Sequence, residues 1–101
     1  MDEIADGKRI AVMGAKGRQH YFYISKDEIV VFLPDNFTLD PLHQNHYATT
    51  TALTRMMSVA LRNGVGVDVL KKQLSRSSLT KGDSPDMILK AIEKWEQAEA
   101  S

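Results

Sequence analysis

Ile29-Val30-Val31-Phe32-Leu33, closed by Pro34, divides this chain of 101 residues into two halves with different periods. Five apolar residues in a row, four of them β-branched or aromatic, have the length of a strand and are too few for a helix. Pro34 ends the run, because it cannot donate to a strand ladder. On the N-terminal side, Ser25-Lys26-Asp27-Glu28 is a short polar break, and His20 to Ser25 is a second cluster of β-formers. Before that cluster, Gly14-Ala15-Lys16-Gly17 supplies the glycines of a tight reversal, and Arg9 to Met13 is the first strand. Connections this short make successive strands neighbours. Residues from about 9 to 33 are therefore expected to form a three-stranded antiparallel meander, with the third strand most buried because it is apolar on both faces.

Beyond Pro34 the composition turns to Pro, Asp, Asn, His and Gln as far as His46, with Phe37, Leu39 and Leu42 as the apolar anchors, which predicts a loop over 34–46. The period then changes. Leu53, Met56 or Met57, Ala60 and Leu61 recur at helical spacing and predict a helix over about 48–63, capped by Thr49 or Thr50 and closed by Asn63-Gly64. Met56 and Met57 are read as core filler. Val67, Leu70 and Leu74 make one face of a second helix, about 67–75. Ser84-Pro85-Asp86 offers an N-cap, a first-turn proline and a first-turn acid to a third helix, about 85–97, whose apolar face is Ile88, Ala91, Ile92 and Trp95. Beyond Trp95 the tail is expected to fray. Strands first and helices second make the fold class α+β, in a single domain.

Composition excludes several functions. The chain has no cysteine, so disulfides, thiolate metal sites and cysteine nucleophiles are ruled out. Asp2, Glu3 and Asp6 near the start have the wrong charge for a secretory leader, and no apolar run approaches the ~20 residues of a membrane span. A cytoplasmic protein without membrane contact is expected. Lys plus Arg equals Asp plus Glu at 13 each, which gives no general pull toward nucleic acid. Locally, however, Arg55, Arg62, Lys71, Lys72, Arg76 and Lys81 face the single acid Asp68.

The helical half resembles a known family. Leu53 to Asn63 (LTRMMSVALRN), Gly64-Val65, Asp68 to Leu74 (DVLKKQL), then Ser84-Pro85-Asp86 followed by Ile88 to Trp95 are similar to the TSCPD domain, found at the carboxyl end of adenosylcobalamin-dependent ribonucleotide reductases and as free-standing small bacterial and viral proteins. Two positions depart from the pattern. Gly66 stands where the family often has proline, and Ser84 occupies the motif's cysteine position, so a metal or redox role attached to that cysteine does not apply. The resemblance carries no active site into the chain. It implies an accessory module, either in nucleotide metabolism or as a phage-type protein that binds a host protein or a reductase subunit.

Two constellations are candidate ligand sites. Lys16, Arg18, His20, Tyr21 and Tyr23 combine glycine-flanked cations with aromatic rings on the adjoining strand, able to hold a phosphate and stack on a base. Its bland counterpart is a solvated hairpin tip. Arg55, Arg62, Lys71, Lys72 and Arg76 can grip phosphates or an acidic protein surface, or merely form the wet faces of two amphipathic helices. His43 and His46 lack the spacing of a helical zinc pair, and no metal or cofactor is expected. A helix-turn-helix over Leu53 to Thr80 is disfavoured by the acids of the third helix, Asp86, Glu93, Glu96 and Glu99. Catalysis would have to run through His20, His43 or His46. The expected function is instead a non-catalytic module that binds a nucleotide or an acidic protein. It is expected to self-associate as a symmetric dimer, since three short helices cannot cover a sheet whose third strand is apolar on both faces, with Phe37 and Leu39 as extra contacts. As a subunit of a larger assembly it would instead keep an apolar helical face of Met56, Val59, Leu70 or Trp95 for a partner.

Overall fold

The structure, a computed structural model, describes residues 7–32 and 41–100, without the side chains of Lys16 and His43. The expected contacts of Phe37 and Leu39, and the expected loop as far as residue 40, lie outside these residues.

Three strands, β1 (Lys8–Met13), β2 (Gln19–Ser25) and β3 (Glu28–Val31), form one antiparallel sheet in the order β1-β2-β3. Ile10 pairs with Phe22 and Val12 with His20, while Phe22 and Ile24 pair with Val31 and Ile29. Because side chains alternate along a strand, this register gathers all seven on one face, where all are buried. The opposite face carries Arg9, Ala11, Tyr21, Tyr23 and Val30, none of them buried. The third strand is therefore not the most buried. It is an edge, and only Ile29 and Val31 point into the core; Val30 is half-buried and Phe32 is 39% exposed, since the core lies against one face of the sheet.

Helix α1 spans Pro41–Arg62, α2 spans Val67–Ser77 and α3 spans Ser84–Ala100, which completes the β-β-β-α-α-α order and the α+β class. Met87, Ile88, Ala91 and Ile92 of α3 fill the core above the sheet. α1 starts at Pro41, so residues 41–46 are helix rather than loop. Proline suits a first helical position, but Leu42 is 75% exposed and Gln44 and Asn45 are exposed too, so this first turn has no apolar period to reveal it. Thr49 and Thr50 do not cap the helix. Inside it, their hydroxyls donate to the carbonyls of Asn45 (3.0 Å) and His46 (2.9 Å). At the other end Gly64, at φ +92°, turns the chain, and the Val65 N–H bonds back to the Ala60 carbonyl.

The cap of α3 is Asp83 rather than Ser84. Its Oδ1 accepts the Asp86 N–H at 3.0 Å, while Asp86 Oδ2 accepts the N–H of the preceding Gly82 at 2.8 Å, so both carboxylates take backbone donors at this helix start. Asp83 also takes the N–H groups of Leu79 and Thr80 and the Ser78 hydroxyl. Burial pushes this carboxyl up, yet the bonds outweigh it and hold its pKa at about 2. α3 continues past Trp95 to Ala100 instead of fraying, because Glu96 bonds Lys71 at 2.7 Å and Glu99 lies 3.5 Å from Lys8.

Candidate functional site

The edge of β3 is where the sheet would be open to another strand. In a two-residue hairpin the backbone groups of Ile29 point away from β2, and α1 supplies their partner. The Ser58 hydroxyl accepts the Ile29 N–H at 2.8 Å and lies 3.0 Å from both the Ile29 and Thr54 carbonyls, to which it can donate. A single side chain thus occupies the place of a neighbouring strand.

Helical geometry then decides what else faces this edge. Thr51, Thr54, Arg55, Ser58 and Arg62 stand at i, i+3, i+4, i+7 and i+11, so they form one stripe of α1. The stripe and β3 enclose a groove of ≈ 580 Å³. Tyr47 and Glu28 also line it. Arg55 and Arg62 are seven residues apart, about 10.5 Å along the helix axis, and neither has an ion-pair partner among the described residues. The Thr51 hydroxyl is buried without a hydrogen-bond partner among the described residues. Chemically the groove offers two guanidinium forks and an apolar floor of Ile29, Val31 and Val59, while the Thr54 and Ser58 hydroxyls are buried in internal bonds. That combination suits an anion with a flat or apolar body.

The basic set is split by the fold. Arg55 and Arg62 share the groove, whereas Lys72 and Arg76 lie on α2, which packs on α3, and do not line it. Lys71 is engaged by Glu96, whose hydrogen bond raises the lysine pKa, so it is not a free cation.

The hairpin set is split too. The side chain of Lys16 lies outside the described residues, and Arg18 follows the 3-10 turn Ala15–Gly17. His20 points into the core and is 8% exposed. Burial, opposed by a hydrogen bond to the Arg18 backbone and reinforced by His46, lowers its pKa below 6.5. The two imidazoles meet edge to face, 5.8 Å between centroids. Tyr21 and Tyr23 stand on the other face of the sheet, where the Arg9 guanidinium covers the Tyr21 ring at 4.6 Å. Alternation along β2 therefore keeps His20 and the tyrosines from acting on one ligand.

Sequence reading missed Thr51, Ser58, Tyr47 and Glu28. A visible signal existed for two of them: Thr51, Arg55, Ser58 and Arg62 are polar at i, i+4, i+7 and i+11, too regular a stripe for a purely solvated face. Among the described residues no cluster of three His, Asp or Glu is placed to hold a metal, and no helix is long and apolar enough to cross a membrane.

No curated protein and no solved structure matches this chain. Among protein families, residues 3–95 match the TSCPD domain. The match takes in the sheet as well as the helical motifs that first suggested it, and this chain belongs to the TSCPD domain family.

Proposed function

We propose that this TSCPD domain is a non-catalytic binding module that recognises a phosphate-bearing small molecule, of nucleotide type, in the groove between α1 and β3. The observation that carries it is the pair Arg55 and Arg62: two guanidinium groups on one stripe, with no ion-pair partner among the described residues, beside a cavity of ≈ 580 Å³. Arginines left unpaired at a concave site match phosphate oxygens in pairs of parallel hydrogen bonds. Glu28 is the one carboxylate and no histidine is present among the residues lining the groove, which favours binding over acid–base chemistry.

Calorimetric titration with nucleoside mono-, di- and triphosphates and with inorganic phosphate tests this. Salt-sensitive binding, weakened about tenfold or more by Arg55→Glu and by Arg62→Glu, is the expected result. Absence of binding to the whole panel, or affinity indifferent to both reversals, overturns it.

A second observation favours self-association. Met13 is 54% and Phe32 39% exposed on the sheet face that carries Tyr21 and Tyr23, and a twofold pairing of such faces covers them. Sedimentation equilibrium is expected to show a dimer that Phe32→Glu dissociates; a monomer mass at every concentration removes this reading.

A further inference from the structure

We propose that the cleft where the β2–β3 turn meets the α1–α2 connection is a second binding site, for a small amphipathic carboxylate whose apolar body fills the cleft and whose head group sits at Lys26. The cleft has a volume of ≈ 340 Å³, inside the ~300–1,000 Å³ range of small-molecule sites. Its walls come from separate parts of the fold: Ile24 and Ile29 from the hairpin, Leu61 and Val67 from either side of the helix connection, Ile92 and Trp95 from α3. Only Ile29 is shared with the α1–β3 groove, and neither Arg55 nor Arg62 lines this cleft.

Three features distinguish it from a packing gap. Lys26 is the single charged side chain on its lining, it is exposed, and it has no ion-pair partner among the described residues. Charge complementarity at the rim of an apolar cleft calls for an anion with an apolar tail. Trp95 is on the same lining, with its indole N–H closed off from water and without a hydrogen-bond partner among the described residues. The indole ring, rather than this enclosed N–H, is what Trp95 presents to the cleft, as an apolar wall for the body of the ligand. Finally, Gly66 and Val67 of the lining open α2, whose N-cap glycine provides no side-chain bond, so the first backbone N–H groups of α2 are left without a side-chain cap beside the cleft.

The same lining argues against a nucleotide here. Apart from Lys26 and Trp95, its polar side chain is Ser25, and that hydroxyl donates to Asp27 at 3.3 Å, so the side chains of the lining are poor in groups that read sugar hydroxyls.

Trp95 is the sole tryptophan of the chain, so its emission reports on the cleft directly. The full chain is titrated with octanoate, octanol and inorganic phosphate, and the titrations are repeated on Lys26→Glu and on Val65→Phe. Val65 lines the cleft but is 37% exposed, so the larger ring narrows the cleft without entering the core; circular dichroism checks that both variants fold. A saturable change in Trp95 emission with octanoate is expected, about tenfold weaker with octanol and in Lys26→Glu, as the loss of one charge-assisted hydrogen bond implies, and weaker still in Val65→Phe. No saturable change at millimolar octanoate, or equal octanoate binding in both variants, overturns the proposal. So does a response to phosphate alone that Lys26→Glu removes. Arg55→Glu is expected to leave octanoate binding intact, which keeps this result separate from that of the groove.

Discussion

The Ser84 hydroxyl oxygen lies 2.7 Å from that of Thr50, joining the first turn of α3 to the middle of α1 inside the core. The proton of Thr50 is directed to the His46 carbonyl, so Ser84 is the donor. The resemblance of the Ser84-Pro85-Asp86 turn to the family's motif sets Ser84 against the motif cysteine, and in this chain Ser84 makes a structural hydrogen bond between two helices. Both residues are almost fully buried, Thr50 at 1% and Ser84 at 5%. Ser84→Ala and Thr50→Val are each expected to cost about 1–3 kcal/mol, because each strands or removes a buried partner. The double variant is expected to cost less than the sum. Urea unfolding of the four proteins measures this, and additive losses would show that the two hydroxyls act independently.

Ser58 guards the edge of the sheet. In Ser58→Ala the Ile29 N–H loses the hydroxyl it bonds to at 2.8 Å. A loss of about 1–3 kcal/mol is expected, together with concentration-dependent association through the uncovered edge. Urea unfolding and light scattering read the two effects, and a stable monodisperse variant would refute the guarding role.

Gly82 is constrained twice. It stands at φ +87°, and a Cβ there would fall 2.5 Å from the Ala15 nitrogen, whose N–H already bonds the Gly82 carbonyl at 3.3 Å. Gly82→Ala is expected to destabilise by about 2 kcal/mol, since a strained backbone and a backbone clash add. Thermal unfolding checks it, and an unchanged midpoint would mean that the turn has room to move.

Two groups set the acid limits. The folded-state pKa of His20 is lowered below 6.5, so the unfolded chain takes up the proton first as pH falls. Stability from the neutral, buried ring is therefore present above about pH 6.5 and is lost as pH falls below that value. Asp83 is depressed from 3.8 to about 2, so its contribution is present above 3.8 and lost as pH falls from 3.8 toward 2. Unfolding free energies measured across this range are expected to show both steps. His20→Gln should flatten the upper one and Asp83→Asn the lower; a pH profile unchanged by either substitution contradicts the assignment.

Local patterns determined much of this molecule. The β-formers on either side of Gly14–Gly17 and of Lys26-Asp27, the apolar period of Leu70 and Leu74, and Pro85 and Asp86 in the first turn of α3 are each short-range preferences that the surrounding fold agrees with, although the cap itself is Asp83 and not Ser84. Where the sequence was silent, the cause was exposure or distance. The first turns of α1 carry no apolar period because they face water, and the tail of α3 is held by Lys8 and Lys71, partners far away in sequence. Only tertiary structure decided which charges remain free: Lys71 looked like its neighbours until α3 brought Glu96 within 2.7 Å. Only tertiary structure laid α1 along the edge of β3, where Ser58 closes the sheet and Arg55 and Arg62 border a groove. Periodicity states which residues share a face, but the element that packs against that face is chosen by the summed burial of the whole core.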